Sequence, residues 1–322
     1  MRNRLYFKNI IPYYIIILIK ILNRGVISIN KVKRLISEEK CGDKPNLGIL
    51  MMILASICFA LVGAMIRLVG NIPLMEMIFF RNLPSILILP VILKNKNISF
   101  KGENKPLLLF RCFFGFLSTV GYFYTFRTMT MTDAMTIRQL SPFFIIILAV
   151  IFLKERMSLQ RIPVFLLVFL GSLLVIKPGI RLEMFPAIVG ISAAIFSAGA
   201  HVSLRNLRLT DHPLVIVNYF SFVSGLMALV ILIWQKNFVI PDFISFINLI
   251  LLGLVALGAQ IALTKAYQMA PAGMISLYTY SQIIFATIFG LLFFRELPDL
   301  LSIIGAFLII VSGYLNYKLK IE

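Results

Sequence analysis

From about residue 47 onward the chain repeats one pattern: a run of roughly 20 apolar residues, a short polar gap, and another run. Ten such runs occupy roughly 47–69, 73–93, 106–126, 132–153, 159–176, 184–205, 213–234, 245–268, 271–294 and 298–317. At 1.5 Å rise per residue, runs of about 20 residues cross a hydrocarbon layer about 30 Å thick. The gaps are mostly short, so neighbouring helices run antiparallel. The pattern predicts an all-α membrane protein of ten transmembrane helices. The fifth is short and must tilt little or sit where the bilayer is thin.

Residues 1–46 stand apart. The apolar stretch Ile10–Leu22 holds 13 residues, includes Lys20 and is too short to span. No small-residue cleavage site follows it, so it does not read as a signal peptide. The expectation is a basic, poorly ordered arm on the inner leaflet, and a start codon assigned too far upstream would explain the same segment.

Composition agrees with lipid as the solvent. Of the 322 residues, 60% are hydrophobic and 14% charged, with mean hydropathy +0.96, whereas soluble domains carry about a quarter charged residues. The net charge of +18 raises the question of nucleic acid. However, ten of the 31 Lys and Arg precede Asn46 and most others fill the gaps between apolar runs, as juxtamembrane cations do. Nucleic acid is therefore not an expected partner; the lipid bilayer is. With the N-terminus inside, 21 cations face the cytoplasm and five (Arg127, Lys177, Arg181, Lys236, Arg295) face out. Both termini are then cytoplasmic in a multi-pass protein of the cytoplasmic (plasma) membrane. Cys41, Cys58 and Cys112 show no CxxC spacing, and neither a structural metal nor any other cofactor is implied.

The chain also aligns on itself. At an offset of 141, Leu107–Leu170 overlays Asn248–Val311, matching Phe144 with Phe285, Glu155 with Glu296, and Lys154 with Arg295 in charge. At an offset of 138 the first run overlays the sixth, matching Arg67 with Arg205. Aliphatic identities arise easily by chance; the charged pairs are the informative ones. The arrangement is one repeat over 47–180 and a second over 184–320. Five spans per half is an odd number, so the second half enters the membrane from the opposite side. Inverted halves can exchange conformations and open a site to either face in turn; a static membrane enzyme has no general need of this.

The segments DAMTIRQLSPFFIIILAVIFLKER, ending at Arg156, and APAGMISLYTYSQIIFATIFGLLFFRE, ending at Glu296, carry a resemblance to the drug/metabolite transporter superfamily, specifically its EamA type. The resemblance covers about residues 47–317. It implies two inverted five-helix repeats around a central cavity. It also implies a site lined by spans one, three, four, six, eight and nine, with five and ten outside. The second copy departs from the first in having Ile283 where Pro142 stands, so a kink in span four need not recur in span nine.

Polar groups in hydrocarbon mark a cavity or a partner, since an Arg at mid-helix costs about 2.5–3.5 kcal/mol on insertion scales. Span four carries Arg138, Gln139 and Ser141; at the repeat offset, span nine carries Thr279, Tyr280 and Gln282. These read as a substrate site at the repeat interface or as interhelical hydrogen bonds. Tyr278 shares a helix face with Gln282. Gln260 and Lys265 of span eight are equivalent to Thr119 and Tyr124 of span three; Lys265 lies near the inner end, where it lines the site or snorkels to the headgroups. His201 in span six reads as a packed residue or a proton carrier. Arg81 lies roughly 12 Å into span two and is expected to pair with another helix. Arg111 is expected to snorkel to the inner headgroups. Glu155 and Glu296 are expected to form local ion pairs with Lys154, Arg156 and Arg295.

The resulting expectation is a secondary transporter for a small-molecule substrate, an amino acid or other anionic or zwitterionic solute. Its candidate substrate-binding residues are Arg138, Gln139, Ser141, Tyr278, Tyr280, Gln282, Gln260, His201, Tyr124 and Arg81. A coupling ion or exchanged solute, and a homodimer, stay open as partners. No GxxxxGK[ST] loop is present, which argues against a self-contained ATP-driven pump. The alternative is a membrane-embedded enzyme acting on lipid or a lipid-linked substrate. It would want His, Asp or Glu gathered at one depth, and this chain has two His in all, with His212 placed to cap a helix.

Overall fold

A computed structural model describes residues 44–69, 72–128, 137–155, 160–176, 184–236, 238–295 and 297–319. The expected basic arm, apart from its last few residues, lies outside them, as do Asp133, Glu296 and the Arg67 side chain. Regular structure among the described residues is helical: α1 (Pro45–Leu68), α2 (Leu74–Asn95), α3 (Lys105–Thr128), α4 (Ser141–Leu153), α5 (Arg161–Ile176), α6 (Met184–Leu207), α7 (Pro213–Gln235), α8 (Phe243–Met269), α9a (Ala272–Ser276), a 3-10 turn (Leu277–Tyr280), α9b (Ser281–Phe294) and α10 (Leu300–Lys318). With α9a, the turn and α9b counted as one, eight of these helices are long and apolar enough to cross a membrane, while α4 and α5 are shorter apolar helices. The protein is an all-α membrane protein of ten helices in two five-helix halves.

Helix ends follow from local chemistry. Pro residues open α1 and α7, where a missing N–H costs nothing. The Asp299 carboxylate accepts the Ser302 N–H at 3.1 Å and caps α10. Lys154 and Arg295 end α4 and α9b with φ of 53° and 56°. The charged pairs that link the two repeats in sequence are thus the same left-handed stop, used twice.

Packing repeats across the halves. α3 lies along α6, and its counterpart α8 lies along α1; α2 pairs with α7, and α5 with α10. Small residues on α1 and α6 admit side chains from neighbouring helices. Ala60 and Ala64 receive Phe289 of α9b, while Ala194 packs with Tyr122 and Phe144. In α8, Gly253 lets α2 approach: a Cβ there would fall 2.6 Å from the Pro84 ring.

α5 and α10 sit at the rim and expose Leu166, Leu170, Phe307 and Ile310. They cross backbone to backbone, since a Cβ on Gly305 would lie 2.5 Å from the Gly171 carbonyl oxygen. Gly305→Leu is therefore expected to force the pair apart. Overpacking of this kind costs about 1–3 kcal/mol, so the thermal unfolding midpoint in detergent should fall clearly. Gly313→Ala, whose Cβ would meet only Tyr278 at 3.8 Å, should leave it unchanged.

The structure decides the matter of the kink that the sequence left open. Span four is not one continuous helix: Ile137 and Arg138 are helical, Gln139 and Leu140 form a turn, and α4 proper starts at Ser141; residues 132–136 are outside the description. The break does recur in span nine despite Ile283. There the 3-10 turn 277–280 occupies the equivalent place, and hydroxyls substitute for proline. Ser276, Thr279 and Ser281 each donate to the carbonyl three residues back, at 3.0, 2.6 and 2.7 Å, which draws the backbone into the tighter turn.

Candidate substrate site

The intramembrane arginines feel one another's charge. Arg81 of α2 lies within electrostatic reach of Arg138 and Arg111, and His201 of α6 faces both Arg111 and Arg138. Neither arginine expectation holds. Arg81 has no acidic partner on another helix among the described residues, and Arg111, 3% exposed, does not reach the headgroups. The reason for the second is steric. Gly115, one turn on, leaves a socket in which the Arg111 guanidinium lies 4.6 Å over the Phe220 ring, and a Cβ on Gly115 would collide with both groups. Arg138 rests in the same way over Tyr122, at 5.4 Å.

Around these cations are polar groups without partners. Tyr122 OH is ringed by the hydroxyls of Ser118, Ser141 and Ser197, yet it and Ser141 Oγ make no hydrogen bond within ordinary limits. On α8, Gln260, Thr264 and Tyr267 fall within about 60° of one another at 3.6 residues per turn, and each holds a buried oxygen with no partner. Tyr267 stacks on His201 with centroids 5.0 Å apart, and Ser197 Oγ lies 3.4 Å from His201 Nδ1. Buried polar groups left unsatisfied are costly, and so many at one seam suit a ligand better than they suit packing. Lys265, 2% exposed, is buried rather than snorkelling.

Other predicted residues divide. Tyr280 OH donates to the Gln139 carbonyl at 2.8 Å, joining equivalent positions of the two repeats. Ser141 borders Tyr122, and Gln282 is half-buried on α9b. Tyr278 turns away: its hydroxyl donates to the Gly313 carbonyl of α10 at 3.2 Å, because the 3-10 turn rotates it from the face it would share with Gln282 in a straight helix. Tyr124 packs edge-on against Phe185, at 6.3 Å, towards the far end of α3.

The sequence reading missed the role of Glu155. Its carboxylate closes no local ion pair among the described residues, Arg156 lying outside them. It reaches the other half, where Ala272 and Gly273 donate their N–H groups to it at 2.9 and 3.1 Å, and Arg205 Nε lies 3.7 Å away. The left-handed Lys154 aims it there. The Arg67–Arg205 equivalence was the available signal, but not its target.

At the same end, His212 caps α7 as expected: Leu214 N–H donates to Nδ1 at 3.2 Å, which requires a neutral ring. Burial, then the charges of Lys265 and Lys96, hold this imidazole down to about 4 from the usual 6.5. The unfolded chain therefore takes up a proton first. The cap contributes fully above about 6.5, and its contribution declines as pH falls towards about 4. Thermal midpoints measured from pH 7 to 4 should fall less for His212→Asn, which caps without titrating.

Helices that cross a membrane, two five-helix halves and charged groups gathered where those halves meet define a membrane transporter of small solutes. The chain belongs to the EamA-like transporter family, whose profile matches residues 46–177 and 184–318. The pseudopaline exporter of Pseudomonas aeruginosa is 34% identical over 268 residues, covering 82% of this chain and 94% of its own. Solute carrier family 35 member G1 of Mus musculus is 29% identical over 290 residues, covering 85% and 79%. A solved crystal structure superposes with a TM-score of 0.76 at 13% identity, over 84% of this chain and 98% of the other, and supports the fold alone.

Proposed function

We propose that the protein is a secondary transporter working by alternating access, and that it moves a small metabolite bearing an anionic group across the cytoplasmic membrane. The observation that carries this reading is that Arg81 lies within electrostatic reach of Arg111 and Arg138, with no acid beside them among the described residues. Charges so buried are stabilised when an anion arrives. The positive-charge pattern supports cytoplasmic termini, which puts Glu155 at the inner face. The halves 47–180 and 184–320 then act as the two moving bodies, with a coupling ion or exchanged solute supplying the drive; a homodimer is compatible with the apolar rim. Export is favoured as the direction by the likeness to a pseudopaline exporter.

The test is transport by purified protein in proteoliposomes, with radiolabelled anionic, zwitterionic and cationic metabolites offered singly. Anionic or zwitterionic solutes should cross in a protein-dependent manner. Preference for cations, or release of a chemically altered product from lipid, would refute the reading.

A further inference from the structure

The geometry points to a more specific cargo: we infer that the site takes a solute with at least two separated carboxylates, one held at Arg111 and one at Arg138. This rests on the proposed transport function and narrows it. The first ground is charge. Three guanidiniums keep their protons in proteins, and a single carboxylate neutralises at most one of them. Every acid among the described residues is engaged or placed elsewhere. Glu76 accepts from Val239 N–H, Glu155 from α9a, Asp211 from Glu103 and Asn104, and Asp299 from Ser302; Glu103 and Asp242 lie in loops.

The second ground is the way two of the arginines are held. Arg111 and Arg138 lie over rings from different helices, Phe220 of α7 and Tyr122 of α3. An aromatic ring engages the face of a guanidinium and leaves its edge N–H groups free, which is the geometry a carboxylate meets with paired hydrogen bonds. Arg111 Nε is buried without a partner. The rings hold the two forks on separate platforms, while Arg81 lies within reach of both. The third ground is the stripe of Gln260, Thr264 and Tyr267, whose unpartnered oxygens fit the uncharged remainder of such a molecule.

The experiment measures the thermal unfolding midpoint of the detergent-purified full-length protein. Propionate, succinate, tricarballylate and inorganic phosphate are each titrated at constant ionic strength. Half-maximal stabilisation should come at a concentration at least tenfold lower for succinate than for propionate, and no higher for tricarballylate than for succinate. Phosphate, a compact dianion, should resemble propionate if the two forks are met by separate anionic groups. In Arg111→Gln and in Arg138→Gln the advantage of succinate over propionate should vanish. Equal responses to propionate and succinate, a phosphate response matching that of succinate, or no response to any of them would overturn the inference, and the wild-type series decides this even if a variant fails to fold. Stabilisation in the expected order without movement of any of these ions in vesicles would remove the transporter reading and leave the site assignment standing. Transport of propionate as fast as succinate would do the opposite.

Discussion

Arg138→Ala is expected to lower the initial rate of substrate movement in proteoliposomes by about 10- to 100-fold at sub-saturating concentration. A hydrogen bond to a charged group contributes about 1.5–3 kcal/mol, and each 1.4 kcal/mol is tenfold in affinity. Folding should survive the change, because the side chain holds no ion pair among the described residues and only rests on the Tyr122 ring. Relief of repulsion from Arg81 works in the same direction. Arg138→Lys should retain an intermediate rate, keeping the charge but losing the planar fork. Equal transport by wild type and Arg138→Ala would contradict the assignment.

Glu155→Ala is expected to have the second large effect, on the distribution of conformations rather than on binding. The carboxylate ties the C-terminal stop of α4 to the start of α9a through two N–H groups, so the contact exists only while the two halves touch at that end. Caps are worth about 0.5–2 kcal/mol, which converts to roughly two- to thirty-fold in the ratio of closed to open forms. A cysteine placed at Thr264, buried on α8, should react correspondingly faster with a maleimide in the Glu155→Ala background. Unchanged reactivity would show that the contact does not hold the end shut.

Much of this architecture was legible in the chain itself. Apolar run lengths located the helices closely; 245–268 was expected for the helix now found at Phe243–Met269. Helix length is dictated by bilayer thickness, so it is written locally. The charged stops Lys154 and Arg295 were likewise visible, being repeated at one offset. What was not legible depends on which neighbour a side chain meets. Arg111 looked like a headgroup anchor because nothing nearby in sequence announces Phe220, which belongs to α7. Glu155 looked locally paired because its true partners are backbone N–H groups, which every residue except proline carries and no sequence distinguishes. The break in span nine was left open because proline is a conspicuous helix breaker, whereas three hydroxyls bonding to their own backbone are not.

The contact between Tyr280 and Gln139 also has a kinetic meaning. A phenol O–H donating a hydrogen bond to a backbone carbonyl cannot be mirrored by exchanging the two copies: position 139 carries no phenol. In the proposed alternating cycle the seesaw therefore has unequal arms, and its two tilts should differ in free energy even when no cargo is aboard. Half-saturation measured from one face should then differ from that measured from the other, while the final ratio of solute across the bilayer still answers only to the gradients that drive it.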